Sequence, residues 1–249
     1  MNLHITNKVA LVTGGSQGIG QAIAEQLAAE GARVVLTYHS EKERADAVAA
    51  KIGGRAVRLS LDDPQSSIDA VKATIAAFGS IDILVNNAVM WGRPGVNVED
   101  MPLDEWQGVF RGNVEGAYAA IQAALPPMRA QKWGRIVNVS SGVALDGVTG
   151  QGPYGAAKSA LHGLTAIVAR EAGADNVLAN VVVPGITITE RLAKHVTPEL
   201  EAARAAGYPI KRLLAPDEVA PTVVFLCSGA NTAVTGEIVR ASGGRPYPY

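Results

Sequence analysis

"KVALVTGGSQGIGQAIAEQLAAEGA", residues 8–32, decides the fold class. It opens on an aliphatic run too short for a helix and closes on an Ala-rich stretch with Ile19, Ile23 and Leu27 on one side at helical spacing. Gly31 lies where that helix should stop. Between the two, "TGGSQGIG" (13–20) leads directly from strand to helix. In such a turn Gly14 allows the tight bend, Gly18 lets backbone approach a pyrophosphate closely, and Gly20 permits helix and strand to pack together. The helix start adds free amides and the positive end of its dipole, so an anion is expected there. The spacing G-x-x-x-G-x-G meets the general dinucleotide fingerprint, G-x-G-x-x-G, only loosely.

The same alternation continues down the chain. "ARVVLTY", "RAVRLSL", "IDILVNNA", "GRIVNVSS", "VLANVVVPG" and "GEIVRAS" are further short β-branched or aliphatic runs without strict alternation, as expected of strands covered on both faces. Helical stretches separate most of them, for example "PQSSIDAVKATIAAFG", with Ile68, Val71 and Ile75 inward and Gly79 at the exit. Parallel neighbours need crossover connections, so this order predicts a doubly wound parallel sheet, an α/β Rossmann fold. No linker or internal repeat divides the 249 residues, and one domain over 1–249 is expected.

Bulk properties limit the function. The chain is 48% hydrophobic and 18% charged, with net charge -1 and no Lys/Arg block, which argues against a nucleic-acid or anionic-membrane surface. Small-molecule partners are expected. No apolar run approaches the roughly 18 residues that span a bilayer. A single cysteine, Cys227, forms no internal disulfide and reads as a buried filler, and the N-terminus lacks a signal-peptide pattern, so the expected location is cytoplasmic. His4, His39, His162 and His195 share no metal-ligand spacing, and no metal is expected.

An acid at the end of the second strand would accept hydrogen bonds from the adenosine ribose and repel a 2′-phosphate. Here Tyr38, His39 and Ser40 stand at that end, followed by Lys42 and Arg44. This pattern favours NADP over NAD, although the two cations also suit a solvated helix start. Glu41, about 20 residues past Gly20, is the rival for the acid's place.

"YGAAK" (154–158) begins a helix after Gly152 and Pro153. Positions i and i+4 share a face, so Tyr154 and Lys158 are neighbours. A free phenol has a pKa of about 10. An ammonium at about 4 Å favours the phenolate by up to about 4 kcal/mol at an effective dielectric near 20, enough to bring the phenol towards neutrality before desolvation opposes it. The pair is a candidate acid/base device. Alone, the spacing fits a surface contact equally well.

Several spaced motifs, in order, resemble the short-chain dehydrogenases/reductases over nearly the whole chain. "TGGSQGIG", "NNA" (86–88), Asn113 in "RGNVEG", "VNVSS", "YGAAK" and "PGITIT" (184–189) carry the resemblance. It implies a catalytic tetrad of Asn113, Ser141, Tyr154 and Lys158, with Ser141 selected over Ser140 by its distance of thirteen residues from Tyr154. By the same resemblance the dinucleotide lies against Gly14, Ser16, Gln17, Gly18, Ile19, Gly20, Tyr38, His39, Ser40, Leu61, Asn87, Ala88, Pro184, Gly185, Ile186 and Thr189, and against Tyr154 and Lys158 themselves. The resemblance also implies that Asn113 holds a water in a proton relay to Lys158. Residues of about 187–214 form a substrate lid, in which Leu192, Val196, Leu200, Tyr208 and Ile210 either line an apolar pocket or pack the lid's own core. A homotetramer built on the helices that start near Asp104 and Tyr154 is also implied.

The chain departs from the family pattern at four places. Val89 replaces a glycine after "NNA". Ser60 replaces an aspartate beside the adenine, with Asp62 and Asp63 following. Gln17 stands where many NADP-preferring members carry arginine. Asp175 replaces a basic residue that fatty-acid reductases use to dock acyl carrier protein, while Arg129 keeps one docking cation. Of the dispersed tryptophans Trp91, Trp106 and Trp133, Trp91 is expected nearest the substrate.

The expected function is therefore an NADPH-dependent ketoreductase acting on a medium-sized carbonyl compound. A β-ketoacyl or polyketide-like intermediate of specialised metabolism, free or carrier-bound, fits best. The alternatives are an NAD-dependent alcohol dehydrogenase for a sugar, steroid or diol, and a dinucleotide-sensing regulator without turnover, which should lack part of the tetrad. The longer nucleotide-sugar branch of the family needs a C-terminal substrate domain for which this chain has no room.

Overall fold

The computed structural model describes residues 2–244; the ends of the expected domain, Met1 and Arg245–Tyr249, lie outside the described residues. The strands are β1 Val9–Val12, β2 Arg33–Tyr38, β3 Arg55–Arg58, β4 Ile83–Asn86, β5 Gly134–Val139, β6 Val177–Pro184 and β7 Ile238–Ala241. The helices are α1 Gly18–Ala29, α2 Lys42–Lys51, α3 Pro64–Phe78, α4 Leu103–Phe110, α5 Gly116–Ala130, α6 Val143–Asp146, α7 Gly152–Ala172, α8 Glu190–Ala193, α9 Pro198–Ala205 and α10 Pro216–Leu226. Among the described residues the strands form one seven-stranded sheet in the order β3-β2-β1-β4-β5-β6-β7, parallel at every pairing. Each of the seven aliphatic runs became a strand.

Two hydrophobic layers explain the unbroken aliphatic runs. On one face Ile23, Ala24 and Leu27 of α1 and Val219, Val223 and Val224 of α10 pack on Val12, Val85, Val137 and Val182. On the other, Val71 of α3, Ile121 and Ala124 of α5 and Val168 of α7 pack on Leu11, Leu84, Ile136 and Ala179. The helix exits fall at left-handed glycines as expected, with φ +89 at Gly31 and φ +84 at Gly79. On α3 the buried face is Ser67, Ala70, Val71 and Thr74, so Ile68 is rotated to a half-buried position.

The strand order reverses between β1 and β4, leaving a crevice at their carboxyl ends where ligands of such sheets bind. All the loops carrying the sequence motifs end there. The segment expected to form the lid is tied at both ends by a parallel bridge, Thr187 with Leu214, through Ile188 N to Leu214 O (2.7 Å) and Leu214 N to Ile186 O (3.0 Å). Among the described residues, no helix is long and apolar enough to cross a membrane.

Candidate active site

The glycine turn is built as its spacing predicts. Gly14 and Gly18 take φ +64 and +54. A Cβ on Gly20 would stand 2.2 Å from the Gly14 carbonyl oxygen, so only glycine lets α1 pack this close to the turn. Asn87 braces the same turn, its Nδ2 donating to the carbonyls of Thr13 (2.9 Å) and Gly14 (3.1 Å), while Thr13 Oγ1 accepts from the amides of Asn87 and Ala88. The first turn of α1 carries no acidic residue and no side-chain cap. Its amides are left for an anion, and the residues present fit a dinucleotide pyrophosphate.

At the end of β2, Arg58 Nε donates to the His39 carbonyl (3.4 Å). Lys42 is paired with Asp46 one turn along α2, which matches a solvated helix start rather than a phosphate ligand. Arg44 reaches the turn, donating to Gln17 Oε1 at 3.3 Å. Glu41, the expected rival, is the exposed residue preceding α2 and caps nothing. Leu61 lines the floor near Ala88. Asp63, a candidate substitute for the adenine-side aspartate, is committed instead to capping α3 through Gln65 N (3.0 Å).

Across the crevice, β5 and α7 bring Ser141, Tyr154 and Lys158 together. Tyr154 lies in the first turn of α7 and is buried, with the Ser141 side chain close enough to favour its phenolate. Lys158 is buried one turn on, its Nζ 5.9 Å from the Tyr154 ring centroid and donating to the Val139 carbonyl at 2.9 Å. The electrostatics correct the expectation of a phenol tuned towards neutrality. Burial pushes the Tyr154 phenol up to about 12, against the Ser141 side chain that favours the phenolate. Burial also takes Lys158 down to about 8. Both groups are desolvated, so each resists its charged form.

Asn113 lies in a π-helical turn, Arg111–Glu115, between α4 and α5. Such bulges often mark functional positions. Its Nδ2 donates to Met90 O (2.7 Å) and Val109 O (2.9 Å), fastening the β4 exit loop to the helix. A cavity of about 10 Å³, close to the room one water needs, is lined by Asn113, Lys158, Asn86, Thr13 and Ala88. Beneath the site a buried chain runs from Asn86 Nδ2 to Asn138 Oδ1 and from Asn138 Nδ2 to Thr165 Oγ1, each 2.8 Å. Ser140, set aside for Ser141, bonds the Lys158 carbonyl (3.2 Å) and lies 2.8 Å from His162 Nε2. His162, one turn beyond Lys158 on α7, is thus a hydrogen-bond partner of Ser140.

Trp91 stacks on Tyr154, with ring centroids 4.5 Å apart, and Arg191 of α8 lies 5.2 Å from the Trp91 ring. Val89 packs in the same cluster as Tyr154, Val109 and Ala157, which accounts for its bulk. Trp106 stacks on Phe110, and Trp133 lies under Lys8 and Arg135. The "PGITIT" loop leaves β6 at Pro184 and Gly185; a Cβ on Gly185 would stand 2.8 Å from the Ser242 carbonyl oxygen. Ile186 N donates to Tyr208 Oη (3.0 Å), and Thr189 caps α8. Of the expected pocket residues, Tyr208 packs with Ala205 and Leu213 in a small core of the 187–214 segment, and Leu200 and Ile210 are exposed. Leu192 and Val196 are half-buried. Asp175 is paired with both Lys132 and Arg129, so Arg129, expected as a docking cation, is neutralised by the substituted residue itself.

Sequence reasoning missed Glu190 and Arg191, which contact Arg44 and Trp91; nothing in their spacing signals partners so distant in the chain. Cys227 is buried, its thiol pushed up by desolvation. Among the described residues no group of His, Cys, Asp and Glu is disposed to hold a metal ion.

A family model described as "Enoyl-(Acyl carrier protein) reductase" matches residues 14–245. The 3-oxoacyl-(acyl-carrier-protein) reductase FabG of Aquifex aeolicus (strain VF5) is 37% identical over 98% of this chain and 99% of its own. A solved structure described as a short chain dehydrogenase/reductase family protein is 39% identical, with TM-score 0.84 over 98% of both chains. The crystal structure of gox2181 gives TM-score 0.90 at 32% identity, covering 97% of this chain and 96% of that one.

Proposed function

This chain belongs to the short-chain dehydrogenase/reductase family, NAD(P)-dependent oxidoreductases, and within its ketoreductase group we propose that it is an NADPH-dependent reductase of 3-oxoacyl thioesters and related medium-sized ketones. The observation that carries this reading is the buried Tyr154 with the buried Lys158 one turn on in α7, Ser141 at the carboxyl end of β5 beside them and the glycine turn opposite.

NADPH, when bound, supplies the hydride. Hydride arrival at a carbonyl carbon leaves negative charge on the oxygen. Ser141 donates a hydrogen bond to that oxygen as charge grows, and Tyr154 gives it the phenolic proton. At neutral pH a phenol raised to about 12 is fully protonated, which suits the acid required for reduction. Lys158 stabilises the phenolate left behind and would hold the nicotinamide ribose hydroxyls. Asn113 and a single water in the cavity it shares with Lys158 return the proton. Gly14–Gly20, Asn87, Ala88 and the 184–189 loop would hold the dinucleotide, and Arg44 would bind its 2′-phosphate.

The chain works as one domain with residues 187–214 as its lid. The Asp175 pairing with Arg129 and Lys132 favours a substrate that arrives free rather than on an acidic carrier docked at that face, consistent with specialised metabolism. Exposed Tyr118 on α5 and Ile167 on α7, 50% and 55% accessible, support a homotetramer assembled through those helices.

Turnover of β-keto thioesters and neutral ketones with NADPH and NADH, followed at the nicotinamide absorbance, tests the reading. NADPH-dependent reduction is expected. A protein that binds dinucleotide and turns over no carbonyl compound overturns it.

A further inference from the structure

Two side chains from distant parts of the chain meet over the glycine turn. Glu190, first residue of α8, accepts from Arg44 Nη2 at 2.8 Å, while Arg44 Nη1 donates to Gln17 just before α1. The other carboxylate oxygen of Glu190 lies 3.9 Å from where a Cβ on Gly18 would stand, and Thr189 Cγ2 only 3.0 Å from it. A lid carboxylate is thus held at the amide end of α1, where dipole and free N–H groups favour negative charge. Arg44 has no carboxylate of α2 as its partner: Asp46 is taken by Lys42. Its charge is satisfied by the lid.

We propose that Glu190 sets cofactor selectivity by competing with the 2′-phosphate of NADP for the Arg44 guanidinium. This rests on the NADP reading above. A phosphate offers more charge and more acceptors than a carboxylate and takes the same planar fork. When it does so Glu190 loses its partner and faces an anion instead, so part of the phosphate's binding energy goes into releasing the lid. NADH has no such group and leaves the Arg44–Glu190 pair intact.

The test is direct dissociation constants for NADPH and NADH, by fluorescence titration, on wild type, Glu190→Gln, Arg44→Leu and the double variant. An exposed ion pair of this kind limits the effect to about two- to five-fold. Glu190→Gln should raise the NADPH-over-NADH preference by that factor. In the Arg44→Leu background the same change should do nothing, because the competition is gone. An unchanged preference in Glu190→Gln, with Arg44→Leu still weakening NADPH, overturns the competition and leaves the NADP reading standing. Equal tightening of both dinucleotides also overturns it, since Glu190 would then act on the shared pyrophosphate. Preference of the wild type for NADH, unaffected by Arg44→Leu, removes the NADP reading and the proposal with it. Thermal melts without dinucleotide check that each variant is folded.

Discussion

The indole of Trp91 lies face to face with the phenol of Tyr154, 4.5 Å between centroids and 27° between planes. Trp91 is 45% exposed and Tyr154 almost wholly covered, so Trp91 forms the outer wall over the Tyr154 ring, with Arg191 of α8 5.2 Å from the indole. Trp91→Ala should let bulkier ketones reach Tyr154, raising kcat/KM for them relative to small ones. The lost stack should cost about 1 kcal/mol of stability. Relative rates across a ketone size series check this, and an unchanged size profile would place Trp91 outside the substrate path.

Tyr154→Phe keeps the ring and its stack and removes the hydroxyl, and with it the proton to be donated. Turnover should fall by about 10²- to 10⁴-fold while dinucleotide binding stays close to that of wild type. Single-turnover rates and fluorescence titration separate the two.

Lys158 carries a buried ammonium whose hydrogen-bond acceptor is a neutral carbonyl. Its pKa is lowered to about 8 by burial, so in the native state it releases its proton before the unfolded chain does. Between about 8 and the ordinary lysine value the unfolded state binds more protons, and this group's contribution makes stability rise with pH across that window. Lys158→Met should abolish that increment and lose activity without losing stability at neutral pH. Melting temperatures of both proteins from pH 7 to 10 give the difference. In the reductive direction, wild-type kcat/KM should hold through neutral pH and decline above about 8 as the lysine loses its charge.

Asn113→Ala removes two donated bonds, to Met90 and Val109, and leaves both carbonyls short of a partner. A loss of about 1–3 kcal/mol is expected in denaturant unfolding. Asn113→Asp, which keeps the shape and removes both N–H donors, should also lower kcat more than it raises KM.

Arg135, 2% exposed at the start of β5, holds the opposite end of the sheet, donating to the carbonyls of Ser228, Gly134, Asn176 and Asn231. Burial brings its pKa down to about 10, yet it remains charged at neutral pH. Arg135→Met should cost about 3 kcal/mol or more by stranding these acceptors. Activity per folded molecule should not change.

Strand, glycine turn and helix could be read from residues 8–32, because such features depend on neighbours a few positions away: the positive φ of Gly14 and Gly18, the one-turn spacing of Tyr154 and Lys158. The same locality made the seven strands and their alternation with helices legible, while the order of the strands in the sheet came from the structure. The sequence alone could not say what each side chain faces once segments are brought together. Glu190 meets Arg44 across 146 positions, Asp175 turns on Arg129 and Lys132, and Trp91 settles on Tyr154. The phenol's acidity belongs to this second class. Spacing set an ammonium one turn away, but burial, a property of the whole packed core, decided that the proton stays on.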